Sequence, residues 1–226
     1  EQWHPAGPSP VSALLSGVMI KTGIYGLMRT FLWLVPEGAL GAFPMAAWGL
    51  AITLLGTVTL LTGTVAALRE EQTKRLLAHS SIGQVGYILF GMGAAMSLLP
   101  LGNPAMVALG AAGFCGALFH VINHGLFKGL LFLNSGSMLS ATGTQDLDRL
   151  GGLMRLMPLT GVTVLVGAFS VSGVPLTNGF ASKWSMYVAA IQGAGEARHL
   201  GVCAVVAILT SALTLLATEP AEGAVG

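Results

Sequence analysis

Apolar residues run through this sequence in long blocks separated by short polar breaks. A bilayer core of about 30 Å takes about 20 apolar residues as a helix. Six segments reach that length: residues 11–35, 44–68, 76–99, 105–139, 158–192 and 200–218. The breaks between them are Pro36-Glu37-Gly38, the run Arg69 to Arg75, Pro100-Leu101-Gly102-Asn103-Pro104, and the polar stretch Ser140 to Pro158. Alternation of the barrel-strand kind is absent, which leaves helices as the means of crossing a membrane. The pattern predicts an all-α polytopic membrane protein with about six transmembrane helices, a single transmembrane domain over 1–218, and a tail at 219–226.

Two segments are too long for simple spans. Residues 105–139 as one helix would measure about 50 Å, so this segment must tilt strongly, bend, or run past the bilayer. Segment 158–192 is interrupted by Gly173-Val174-Pro175-Leu176-Thr177-Asn178-Gly179. The flanks, at about 15 residues each, are too short to span alone. One reading is a discontinuous helix that brings backbone groups to the membrane midplane. The other is a proline kink without a role. The segment alone favours neither.

Composition reinforces the membrane assignment. Charged residues make up 8% of the chain and apolar residues 54%, against about 25% charged in ordinary globular proteins. The net charge of +1 offers no basic field for nucleic acid. Cys115 and Cys203 sit inside apolar runs without zinc or CxxC spacing. No phosphate loop, dinucleotide fingerprint, nucleophile elbow, haem or flavin signature is present. No cofactor, metal or redox centre is therefore expected in this chain. The opening Glu1-Gln2-Trp3-His4-Pro5 reads as an internal stretch, so a fragment is expected. With six crossings, Arg69, Lys74, Arg75, Arg149 and Arg155 share a side with both ends, and Arg198 alone lies opposite. The positive-inside rule then places the N-terminal end in the cytoplasm of a prokaryotic-type plasma membrane.

Four charged residues fall inside apolar segments, all of them cationic: Lys21, Arg29, Lys128 and Lys183. Each costs at least about 2.5–3.5 kcal/mol to insert near the bilayer centre. Arg29 is near enough to a segment end to snorkel. Lys21, about ten residues from either end, is beyond that reach and reads as functional. His120, His124 and Lys128 follow at i, i+4 and i+8, on one helical face about 6 Å apart along the axis. A file of titratable groups suits proton relay, because histidine titrates near neutral pH. A His-x3-His pair also suits metal, but no carboxylate or third ligand lies nearby and Lys128 would repel a cation. Lys183 follows the break, by the positive end of the second half-helix. The His79, Gln84 and Tyr87 side chains can line a water path or bond between helices.

These residues belong to motifs. His4-Pro5-Ala6-Gly7-Pro8-Ser9-Pro10-Val11-Ser12-Ala13-Leu14-Leu15-Ser16-Gly17 followed by Met19-Ile20-Lys21 through Leu27-Met28-Arg29, then Lys74-Arg75-Leu76-Leu77-Ala78-His79-Ser80-Ser81-Ile82-Gly83-Gln84-Val85-Gly86-Tyr87, Phe119-His120 through Phe127-Lys128-Gly129-Leu130-Leu131-Phe132, and Ser172-Gly173-Val174-Pro175 through Phe180-Ala181-Ser182-Lys183 occur in that order. Together they resemble the proton-conducting, antiporter-like membrane subunits. That family takes in the large membrane-arm subunits of NADH:quinone oxidoreductase (complex I), subunits A and D of Mrp Na⁺/H⁺ antiporters, and the large membrane subunits of formate hydrogenlyase and related hydrogenases. The resemblance implies one inverted repeat plus one helix of an antiporter-like fold, with the helix break at Gly173, Pro175, Asn178 and Gly179. It carries proton transfer onto Lys21, His120, His124, Lys128 and Lys183. The partners it implies are other membrane subunits of a multisubunit complex, a peripheral redox module, and protons or Na⁺ as the moving ions. The family's upstream lysine and its glutamate partner have no counterpart here, and Leu216 through Gly226 departs from the family's continuation, as a truncation or altered frame would.

The expected function is thus a proton-translocating subunit of a redox-driven complex. The alternatives are an Mrp-type cation/proton antiporter subunit, and a non-conducting membrane scaffold for a redox module. Against the scaffold stands the cost of three aligned polar groups it would not need. A stand-alone Na⁺ carrier would call for intramembrane carboxylates, which the sequence lacks.

Overall fold

The computed structural model describes residues 8–32 and 43–223, with side chains as far as Thr218. The break expected at Pro36-Glu37-Gly38, the end of the first segment beyond residue 32 and the His4-Pro5 motif lie outside the described residues. Helix α1 (Ser9–Leu14) runs through a π-helical stretch (Leu15–Met19) into α2 (Ile20–Leu32). There follow α3 (Met45–Ala67), α4 (Thr73–Leu98) with a 3₁₀ turn (Leu99–Leu101), and α5 (Pro104–Thr142). A second 3₁₀ turn (Leu147–Arg149) and α6 (Leu153–Leu156) lead to α7 (Pro158–Ser172), α8 (Asn178–Gly193) and α9 (Arg198–Gly223). Among the described residues the fold is helical, with five continuous stretches long and apolar enough to cross a membrane and α7 a shorter apolar helix. Helices α7 and α8 are the two halves of a discontinuous helix, fifth in chain order.

Helix α5 is 39 residues without a break. Pro104 opens it at the first position, and Asn103 caps it by accepting a hydrogen bond from the Ala105 amide at 2.9 Å. Gly143, at φ 73°, closes it in the left-handed conformation. Such a helix is about 58 Å long, roughly twice the thickness of a bilayer core. Ordinary tilts of up to about 40° do not contain it, so it projects beyond.

Lys74 and Arg75, expected in a connector, lie in the first turn of α4. The reason is local. The Thr73 amide donates to Gln145 O and the Leu147 amide to Glu71 O, each at 3.0 Å, around an antiparallel bridge between Gln72 and Asp146. These bonds pin the chain just before the helix, and the Leu76 amide then starts the ladder on Gln72 O at 2.9 Å. The same bonds hold the two connectors side by side, as six crossings require.

Helix α4 is the centre of the bundle; Tyr87, Ile88, Phe90, Met92 and Met96 are fully enclosed. It packs against α3 nearly backbone to backbone. A Cβ on Gly86 would strike the Leu60 backbone and the Gly56 carbonyl. Small residues drive helix association in a membrane because lipid competes for larger apolar side chains but not for close backbone approach. Two apolar clusters result. One gathers Tyr87, Ile88, Phe90, Ala117, Met186 and Ala207; the other gathers Leu76, Leu77, Phe127, Leu131, Leu147 and Val171. Along α4 the buried polar residues between the clusters are Ser80, Ser81 and Gln84; along α5 they are His120, Asn123 and His124, with Lys128 just inside the second cluster between Phe127 and Leu131. The polar residues therefore occupy a seam between two greasy layers.

Gly86→Ala is expected to destabilise the fold by about 1–3 kcal/mol through overpacking, read as a lower thermal unfolding midpoint of the full-length protein in detergent. An unchanged midpoint would mean that α3 and α4 do not meet at their backbones.

Candidate functional site

On α5 a stripe of buried positions runs through Gly116, Ala117, His120, Asn123, His124, Phe127, Lys128, Leu131 and Ser135. Ile122 and Leu126 on the other face are 61% and 63% exposed. The spacing that put His120, His124 and Lys128 on one face thus places all three inside, with no exposed surface. Lys21 and Lys183 are also buried. Among the described residues no carboxylate is buried, and the two ion pairs, His79–Glu70 and Arg149–Asp146, involve side chains still open to solvent. The cations are held by hydroxyls and carbonyls instead.

Lys21 and Lys128 are joined through α4. The Lys21 ammonium donates to Ser16 O inside the π-helical stretch. Ser16 Oγ lies 2.8 Å from Ser81 Oγ, which donates to Leu77 O at 2.8 Å. The same carbonyl accepts from Lys128 Nζ at 2.9 Å, and Lys128 also donates to Ser80 Oγ. A π-bulge widens the helix and is a common feature of functional sites; the Ser16 carbonyl that accepts from Lys21 lies within it.

His124 follows one turn before Lys128, and both of its ring nitrogens are buried without a hydrogen-bond partner. Its ring stacks on His120 with 6.4 Å between centroids and 9° between planes. His120 is fully bonded: Nδ1 lies 2.8 Å from Ser182 Oγ, and Nε2 lies 3.0 Å from Gln84 Oε1.

Lys183 sits in the second turn of α8, but its ammonium does not stay at that helix's amide end. It reaches back to the carbonyl end of α7, donating to Val171 O at 3.0 Å and Ser172 O at 3.3 Å, and to Ser211 Oγ of α9 at 3.0 Å. These carbonyls are orphans created by the break, and a cation suits that end of the α7 dipole. Lys183 Nζ also stands over the Tyr87 ring, 4.4 Å from its centroid, while the Tyr87 hydroxyl donates to Ala207 O at 2.8 Å.

The break itself is a tight turn. Thr177 N donates to Val174 O at 3.2 Å across Pro175 and Leu176, and Leu176 has φ 76°. Proline at the second place and positive φ at the third are the type II pattern, which normally asks for glycine where Leu176 stands. Thr177 Oγ1 caps α8 by accepting from the Phe180 amide at 3.3 Å. Asn123 of α5 and Asn178 clamp the two elements: Asn123 Nδ2 donates to Asn178 O at 2.8 Å and Asn178 Nδ2 to Asn123 Oδ1 at 3.2 Å. Gly179 is obligatory, since a Cβ there would run into the Ser170 carbonyl.

All five sequence-expected residues thus line one seam. Arg29 lies apart, its guanidinium 5.8 Å from the Tyr25 ring centroid. Among the described residues no group of three His, Cys, Asp or Glu side chains comes together to hold a metal. The linking hydroxyls, Ser16, Ser80, Ser81, Ser182 and Ser211, went unrecognised in the sequence. Their signal is there for α4: Ser80, Gln84 and Tyr87 recur at i, i+4 and i+7, one polar stripe in an apolar helix.

The family described as NADH:quinone oxidoreductase/Mrp antiporter, TM, matches residues 1–214. Hydrogenase-4 component B of Escherichia coli is 42% identical over 181 residues, which cover 80% of this chain and 26% of that protein. Formate hydrogenlyase subunit 3 of the same organism is 36% identical over 98% of this chain and 36% of its own length. The chain therefore spans about a quarter to a third of the curated relatives it matches. Among solved structures, the Mrp complex from a Dietzia species superposes with a TM-score of 0.77 at 29% identity, covering 96% of this chain and 36% of the matched one.

Two substitutions at the break should act in opposite directions. Gly179→Ala is expected to part α7 from α8 and destabilise by about 1–3 kcal/mol. Leu176→Gly is expected to stabilise by about 1 kcal/mol, the cost of a left-handed residue with a Cβ. Thermal unfolding of the full-length protein reads both, and equal shifts for the two would contradict this geometry.

Proposed function

The chain belongs to the NADH:quinone oxidoreductase/Mrp antiporter transmembrane family, and from that premise we propose that it moves protons along a buried file of Lys21, Lys128, His124, His120 and Lys183. The observation that carries this is the way the cations are kept: buried, unneutralised by any carboxylate among the described residues, and joined by hydroxyls and carbonyls. A scaffold would gain nothing from several groups each costing at least about 2.5–3.5 kcal/mol to insert. A proton carrier needs them, since each can hold and yield a proton to a neighbour.

In this account the ammonium of Lys128 or Lys183 rests on carbonyl and hydroxyl acceptors that hold it without trapping it. His124, with no protein partner for either nitrogen, is the group most dependent on water, because buried polar atoms without protein partners recruit it. Hydration there would join Lys128 to His120. Lys183 would then pass charge between the file and the break, where α7 ends.

The proposal extends to setting. Similarity to hydrogenase and formate hydrogenlyase subunits supports a membrane subunit of a multisubunit complex coupled to a peripheral redox module. Similarity to the Mrp complex supports cation/proton exchange as the second reading. Five basic residues on the side of the paired connectors, against Arg198 opposite, support a cytoplasmic N-terminal end.

The test uses the full-length protein with its adjacent subunits in sealed liposomes. Lys128→Ala and Lys183→Ala are each expected to abolish driven proton transport while the complex still assembles. Full transport in both variants would overturn the proposal. Transport that requires an electron donor favours the redox-driven reading, and transport driven by a Na⁺ gradient alone favours the antiporter.

A further inference from the structure

Gln84 and Ser182 stand at the two nitrogens of His120, and both are groups whose hydrogen-bonding sense can be reversed. An amide offers an oxygen that accepts and a nitrogen that donates; a hydroxyl does either with one atom. Gln84 Oε1 lies 3.0 Å from His120 Nε2. An amide oxygen only accepts, so this arrangement has a proton on Nε2. The other end of the amide, Gln84 Nε2, is buried with no partner. Turning the amide over would point that idle donor at the ring, which satisfies a bare Nε2.

The second nitrogen has the matching device. Ser182 Oγ lies 2.8 Å from His120 Nδ1 and 3.0 Å from Gly179 O. With its single proton the hydroxyl either donates to Gly179 O and accepts from a protonated Nδ1, or swings to donate to a bare Nδ1. The imidazole itself has little room: Tyr87, His124 and Phe127 surround it with ring centroids 6.0, 6.4 and 6.1 Å away, and it has no exposed surface.

We propose that Gln84 and Ser182 are positioning residues that track the protonation of His120, so that the ring carries a proton without turning over. The proposal rests on the relay described above. Three forms of the ring each find partners. The doubly protonated ring donates to Gln84 Oε1 and to Ser182 Oγ. With only Nδ1 protonated, it donates to Ser182 and accepts from the turned Gln84 amide. With only Nε2 protonated, it donates to Gln84 Oε1 and accepts from the Ser182 hydroxyl. In a transfer, one partner swings aside so that a proton from a lysine ammonium of the file, passed through water, adds to the uncovered nitrogen; one then leaves the other nitrogen to water as its own partner swings aside, and the ring, now in the other tautomer, returns to the first by proton exchange with the same water before it carries the next. Gln84 and Ser182 rotate but end with the protons they began with. Ser182 is also the residue before Lys183, so the state of the ring is registered on the broken helix.

The readout is the tautomer of His120, followed by solid-state NMR of ¹⁵N-histidine in the full-length complex in liposomes, with the signal assigned by its loss in His120→Gln. Wild type is expected to show neutral His120 in both singly protonated forms, in exchange. Gln84→Met is expected to leave only the Nδ1-protonated form and Ser182→Ala only the Nε2-protonated form. Each is expected to slow transport about tenfold, the scale of one lost buried partner, and Ser182→Thr to restore the rate. A single fixed tautomer in wild type, or the same tautomers in all variants, would overturn the proposal, and the wild-type result stands even if a variant fails to assemble. If Lys128→Ala and Lys183→Ala transport normally while the tautomers shift as expected, the relay fails and the tautomer pair survives.

Discussion

The Lys183 ammonium, held on the open carbonyl end of α7, is the contact on which the rest of this arrangement turns. A helix that stops inside a membrane leaves backbone acceptors that neither water nor lipid can satisfy. Here the other half of the same helix supplies the missing donor: Lys183 closes on Val171 and Ser172, and Ser211 bonds to both the lysine and Ser172 O. The unmet carbonyls and the buried cation each need a partner, and each is the other's. That mutual need explains how a break and a charge persist together where either alone would be expensive.

The seam follows the same logic. Apolar clusters above and below pin α4 against α3 and α5, and the polar side chains occupy the layer between them. Because the ligands of the lysines are carbonyls and hydroxyls, each cation is solvated without being paired to a fixed negative charge. An ion pair would hold a proton in place; a ring of neutral acceptors leaves its charge movable. The Asn123–Asn178 clamp then fixes α5 to the start of α8, so the histidine file and Lys183 keep a set relation across the break.

Much of this was legible in the residues. Segment lengths gave the helices, Gly173 and Pro175 marked where a segment departs from a straight helix while leaving a kink or a break open, and the i, i+4, i+8 spacing of His120, His124 and Lys128 placed them on one helical face, which the structure buries. Other features were not legible, for physical reasons. The start of α4 depends on a bridge between Gln72 and Asp146, which no local pattern encodes. The π-helical stretch beside Lys21 has no composition of its own. The serines are small and frequent in apolar helices, so their part as links shows only when Ser16 meets Ser81 and Ser182 meets His120 across helices. The sequence also set Lys183 by the amide end of its own half-helix, whereas a lysine is long enough to choose the carbonyl end of the other.

The central claim is that buried lysines change protonation as charge moves. Infrared difference spectroscopy of the full-length complex in liposomes, with isotopically labelled lysine and transport switched on and off, tests it most directly. The account predicts loss and return of a lysine ammonium band during transport, and disappearance of that signal in Lys183→Gln. Sustained proton transport with no change in any lysine band would contradict it.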